Sequence, residues 1–148
     1  MVTSYKMAVA GAVALTSAVW AGRALCAPVD VCSLLTPAEA AAALSVPEVN
    51  AGSGANRCIW TPKKYQAGAG QLTVQVEGAN DSAKLTGLGS AVSGVGDEAI
   101  STVVGSTNSS VLHVRKGTTW FVVNLHGVPL DQAKKVEQTV GSLVATRL

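Results

Sequence analysis

The sequence predicts an α+β domain: an antiparallel sheet of about five strands, with a short N-terminal helix and a long C-terminal helix packed on it, and one disulfide. Three observations lead there. Residues 71–77 alternate apolar and polar side chains with a period of two, as a half-buried strand does. Residues 111–115 and 118–125 are two apolar-rich runs on either side of Lys116-Gly117, the pattern of a hairpin. Residues 130–148 carry apolar side chains at helical spacing instead. Strands grouped together, with helices set apart from them, are the α+β arrangement.

The chain opens on a leader. Lys6 supplies a positive start, residues 7–22 are free of charge, and Arg23 ends the run. A spanning helix needs ~20 apolar residues to cross the hydrocarbon. This run is shorter and small residues follow it, so residues 1–27 read as a cleaved secretory signal, with an uncleaved anchor as the alternative. Cuts after Ala21, Ala24 or Ala27 would each follow an alanine, and Pro28 disfavours the last. A lipoprotein signal needs a small residue before its cysteine. Leu25 precedes Cys26, so anchoring through Cys26 is not expected. Residues 28–148 are then one α+β domain.

Export sets the cysteine chemistry, because thiols outside the cytoplasm persist as disulfides. Cys32 and Cys58 remain wherever the leader is cut. If Cys26 survives, it is the odd thiol. The functional alternative is a redox or metal site, but the chain has no Cys-x-x-Cys and no histidine near either cysteine. A Cys32–Cys58 bridge is the expectation.

Along the mature chain, Thr36-Pro37-Ala38-Glu39 has the pattern of a capping box with proline in the first helical position. An Ala-rich run to Leu44 continues the helix. Residues 50–56 are small and polar and read as a loop, and residues 57–61 as a strand. Residues 71–77 place Leu72, Val74 and Val76 on one face. A short helix is expected over 82–88, a loop over 89–96 and a strand over 98–104. In the hairpin, a loop centred on Lys116-Gly117 sets Leu112 opposite Phe121, His113 opposite Trp120 and Val111 opposite Val122. Leu112, Val114, Phe121 and Val123 then share a face. In the last helix Leu130, Ala133, Val136, Val140, Leu143 and Val144 form the apolar stripe, which Gly141 interrupts.

The chemistry available is limited. Eleven basic and nine acidic residues reduce to nine of each once Lys6 and Arg23 leave with the leader. A neutral surface without a basic block argues against a nucleic-acid binder. The expected register separates His113 from His126 by six residues, about 20 Å, too far to share a metal. No metal site, catalytic residue or cofactor is predicted. Gly-x-Ser-x-Gly is absent. Asp97 and Glu98 are adjacent on a strand and so point to opposite faces. One feature stands apart. The second sheet face carries Trp120, Val122, Val111 and His113, and either the short helix covers it or it is a contact surface. Trp60 shares that ambiguity, with packing against the disulfide as its other reading.

Cys32-Ser33-Leu34-Leu35-Thr36, then Cys58-Ile59-Trp60, then Gly94-Val95-Gly96-Asp97-Glu98-Ala99 form a series. It resembles the small exported proteins and lipoproteins of actinobacteria grouped as a domain of unknown function. Their members read Cys-x-Leu-Leu-Thr, Cys-x-Trp and Gly-x-Gly-Asp-Glu-Ala. The resemblance covers about residues 30–125. It implies the Cys32–Cys58 bridge and a cell-envelope location, and it brings no catalytic residues. A looser resemblance, through Leu-Leu-Thr and the helix-plus-sheet order, is to extracellular sensor domains of actinobacterial serine/threonine kinases. It implies at most a ligand-binding module. The expectation is a secreted or envelope-associated, non-enzymatic binding module. Its partner would be an envelope protein or a small apolar ligand, with no stable membrane span after signal cleavage. The alternatives are a cell-wall-active hydrolase and a small-ligand sensor-like domain.

Overall fold

The computed structural model describes residues 29–77, 88–105 and 109–148. The expected leader over 1–27, with Cys26, and most of the helix expected over 82–88 lie outside these residues. A 3-10 turn at Val31–Leu34 leads into α1 (Pro37–Leu44). Strands β1 (Val49–Ser53), β2 (Arg57–Pro62), β3 (Gln71–Glu77), β4 (Ser90–Ala91), β5 (Glu98–Val104), β6 (Ser109–Lys116) and β7 (Thr119–His126) follow, and α2 (Leu130–Ala145) closes the chain.

The sheet is antiparallel and has seven strands rather than about five, in the order β1-β2-β3-β7-β6-β5-β4. Strands β1 to β3 form one meander and β4 to β7 another, and the β3–β7 ladder joins them. The two extra strands are β1 and β4. Neither shows an apolar alternation, because both lie at the sheet's edges, where backbone pairing with one neighbour holds them and only Val49 packs against the core. The loop expected over 50–56 is therefore strand through Ser53, paired along its length with β2.

Helix α1 starts as expected. The Glu39 N–H donates to the Thr36 hydroxyl (3.2 Å), and the Glu39 carboxylate accepts from the Thr36 N–H (2.8 Å). Arg147, just beyond α2, donates to both Glu39 carboxylate oxygens (2.6 and 2.8 Å) and to the Leu34 carbonyl (2.7 Å). These contacts tie the two helices together. They hold the Glu39 carboxyl at a pKa of about 2, with the Arg147 bond the largest cause.

Both helices pack on the same face of the sheet. That face presents Cys58, Trp60, Leu72, Val74, Leu112, Val114, Phe121, Val123 and Leu125, all buried in one core with Ala40, Leu44, Ala133, Val140 and Val144 of the helices. The disulfide links Cys32 to Cys58 across a Cα–Cα distance of 5.0 Å, fastening the opening turn to β2.

The hairpin keeps its expected faces but not its register. Lys116 pairs with Thr119, and the two-residue turn is Gly117-Thr118, with Gly117 at φ 58°. Leu112 therefore faces Val123 rather than Phe121, and His113 faces Val122 rather than Trp120. A shift of two positions leaves every side chain on the same side of the sheet, which is why alternation alone could not detect it.

Helix α2 lies close to the sheet because Gly141 lets it. A Cβ there would stand 3.0 Å from Leu112 and 3.1 Å from Val95. One turn away, Glu137 enters the core at 1% exposure. Its carboxylate accepts from the Ser110 hydroxyl (2.7 Å) and the Leu125 N–H (3.0 Å). The β6–β7 ladder stops at Val111–Asn124, so the carboxylate occupies the gap where the next backbone bond would form.

Candidate functional site

The face of the sheet away from the helices carries the candidate site. Cross-strand register builds it in rows. Ile59, Thr73, Asn124 and Val111 lie side by side across β2, β3, β7 and β6. Arg57, Gln75, Val122 and His113 form the next row, and Glu77, Trp120 and Arg115 the row nearest the hairpin turn. No described helix or strand crosses these rows. A shallow trough of about 380 Å³ runs over the first two, extending to Gln71 and His126. Its floor mixes aliphatic side chains with amides and a hydroxyl.

Two polar atoms on this face lack partners. Asn124 is 9% exposed, and its amide donates to the Ser110 carbonyl (3.0 Å), leaving Oδ1 without a donor. His113 Nδ1 is buried and makes no hydrogen bond. It stands 3.8 Å from the Glu77 carboxylate, beyond hydrogen-bond reach. Burial lowers the His113 pKa, so the imidazole is neutral at pH 7 and the contact is not an ion pair. Buried polar atoms without partners are rare in folded proteins, and water or a ligand commonly satisfies them.

Of the residues expected on a contact surface, Val122 lines the trough, His113 adjoins it in the same row, and Trp120 is half-buried between Glu77 and Arg115. The short helix does not cover them, since α1 packs on the opposite face. Trp60 does not belong to this surface. It is 1% exposed in the core, on the same strand as the disulfide, because its position in β2 shares the parity of Cys58. Arg57, Ile59, Thr73, Gln75 and Asn124 were not singled out from the sequence. The polar side of 71–77 was visible, but its placement beside β7 depends on the non-local β3–β7 pairing.

The observed register brings His113 opposite Val122, four residues from His126, or about 14 Å along the strand. That is closer than expected from sequence and still too far for a shared metal. Among the described residues, no three His, Cys, Asp or Glu side chains converge on a point that could hold an ion.

The Gly94–Ala99 motif is architectural. Val95 is buried under α2, and Gly96, at φ 60°, passes so near β6 that a Cβ would stand 2.6 Å from the Arg115 carbonyl. Asp97 accepts from the Gly117 N–H (2.7 Å) and from Lys116 Nζ (3.2 Å). The Gly117 bond is the main reason its carboxyl is held below the ordinary range. Glu98 pairs with Arg115 at 3.1 Å. The two adjacent acids thus secure the hairpin turn from either side of β5's start.

Comparison with protein-family models, with curated proteins and with solved structures finds no match. The disulfide accords with an extracytoplasmic compartment. No described helix is long and apolar enough to cross a membrane.

Proposed function

We propose that this chain is a secreted or cell-envelope-associated binding module, without catalytic activity, that takes its ligand on the helix-free face of the sheet. The observation that carries the reading is the unpartnered Asn124 Oδ1 in the floor of the trough. A ligand donating one hydrogen bond there, and laying apolar surface over Ile59, Val111 and Val122, would satisfy the face. The leader, the disulfide and the resemblance to exported actinobacterial proteins support the compartment.

Val122 and Asn124 make the decisive contacts, while His113 and Trp120 flank them. The test is an NMR titration with small apolar and amide-bearing probes. Shifts should gather on Thr73, Gln75, Val122 and Asn124, and both Val122→Glu and Trp120→Ala should weaken them. Probes that shift the helix face instead, or binding indifferent to both substitutions, would remove this surface from consideration.

A further inference from the structure

We propose that the outer edge of β1 pairs with the same edge of a second copy of this chain. An edge strand leaves every second residue with its N–H and C=O aimed away from the sheet. Gly54 donates to the Arg57 carbonyl (2.8 Å) and Lys63 to the Glu48 carbonyl (3.0 Å). These bonds fix the parity: Glu48, Asn50, Gly52 and Gly54 face β2. Val49, Ala51 and Ser53 present their backbone groups outward, and among the described residues nothing bonds them.

Natural edges are usually guarded by lysine, proline, a bulge or an inward charge. The opposite edge of this sheet ends on β4, which is only two residues long. The β1 edge has no comparable protection. Val49–Ser53 contains no charge and no proline, and Asn50 to Ser53 are all exposed.

A second copy is the occupant this edge fits. Antiparallel pairing of a strand with itself about a twofold axis is self-complementary. Centred on Ala51, it sets Ala51 against Ala51 and Val49 against Ser53. Every outward N–H and C=O of each copy then meets one of the other. No like charges oppose each other, since Glu48 would face Gly54 and is already paired with Lys63 at 2.9 Å. A hollow beside Val49, lined by Pro37, Ala38, Ala41 and Pro47 and by the Glu48–Lys63 pair, lies at the end of the strand that the partner's Ser53–Gly54 would approach. An edge of five residues spans about 17 Å, which places the association among weak, reversible ones.

The experiment is sedimentation equilibrium of the protein from low micromolar to near-millimolar concentration, with amide hydrogen exchange at both ends of the range. The apparent mass should double. Exchange should slow at Val49, Ala51 and Ser53, and not at Asn50 or Gly52, whose amides already bond β2. Ala51→Pro removes an outward donor without touching the β2 ladder and should abolish the doubling. Ala51→Lys sets two like charges face to face and should abolish it at low salt, with partial recovery at high salt. A misfolded variant would show no such recovery. A single mass at every concentration, or doubling that survives both substitutions, overturns the proposal. So does protection of the three amides that appears only when a different polypeptide is added, which would assign the edge to a foreign strand.

Discussion

Replacing Glu137 tests the account of the core most directly. Truncation to alanine leaves the Ser110 hydroxyl and the Leu125 N–H without their acceptor, in surroundings where the carboxylate itself is 1% exposed. Each buried donor left unpaired costs ~1–3 kcal/mol. The lost side-chain volume adds to this, and release of a desolvated carboxyl subtracts from it. The net for Glu137→Ala is about 3 kcal/mol, or roughly 10 °C in Tm for a domain of this size. Glu137→Gln should cost less than about 1 kcal/mol, since its amide can accept from Leu125 and donate to the Ser110 oxygen. The glutamine variant also isolates a pH effect. Desolvation raises the Glu137 pKa above the ordinary 4.5, although the bonds from Ser110 and Leu125 and the charge of Lys134 pull it down. The stability linked to this group is therefore complete below about 4.5 and declines as pH rises through the folded-state pKa. His113 acts in the opposite sense. Its lowered pKa means that its contribution is present above 6.5 and lost as pH falls. Both proteins keep His113, so the difference between wild type and Glu137→Gln reports Glu137 alone. The assay is urea unfolding followed by tryptophan fluorescence (Trp60 and Trp120) between pH 4 and 9. A Glu137→Ala variant within about 0.5 kcal/mol of wild type, or equal pH slopes in wild type and Glu137→Gln, would refute this reasoning.

Three further outcomes follow from the same contacts. Cys58→Ser opens a loop with a sequence separation of 26 and should lower the unfolding free energy by about 3.5 kcal/mol on the chain-entropy model, measured by denaturant titration against the oxidised protein. Gly141→Leu forces side-chain atoms into Leu112 and Val95, whose nearest atoms stand about 3 Å from the first added carbon; a loss of about 1–3 kcal/mol is expected, visible as a lower Tm. Arg147→Gln should let the Glu39 carboxyl titrate well above its present pKa of about 2 and toward the ordinary 4.5, read by NMR. In the wild type, the stability tied to Glu39 is present above 4.5 and disappears as pH falls toward 2.

What could be read from the sequence was local. The capping box at Thr36 and Glu39, the alternation over 71–77, and the shared face of Leu112, Val114, Phe121 and Val123 each depend on neighbours in the chain, and each appears in the structure. What could not be read depends on partners far away. Strand β1 has no apolar pattern and exists because β2 pairs with it. Glu137 sits at helical spacing between Ala133 and Val140, within the apolar stripe, yet its charge hid its place in the core. A carboxylate in a stripe is a signal, but it has meaning only once Ser110 and Leu125 are known to wait there. The candidate site was half legible. Val122, His113 and Trp120 follow from the hairpin, whereas Ile59, Thr73 and Gln75 join them only through the β3–β7 ladder.

That ladder also constrains how the chain acquires its shape. Each meander can assemble from adjacent segments, but the seam between them brings residues 71–77 against 120–126. Contacts so distant along the chain form slowly, because a long loop must close before they contribute. A nascent polypeptide growing from its N-terminus therefore carries the first meander with an open flank until nearly all of its length has emerged. A truncation that removes the last hairpin strand would leave both half-sheets with raw borders, a condition that promotes aggregation.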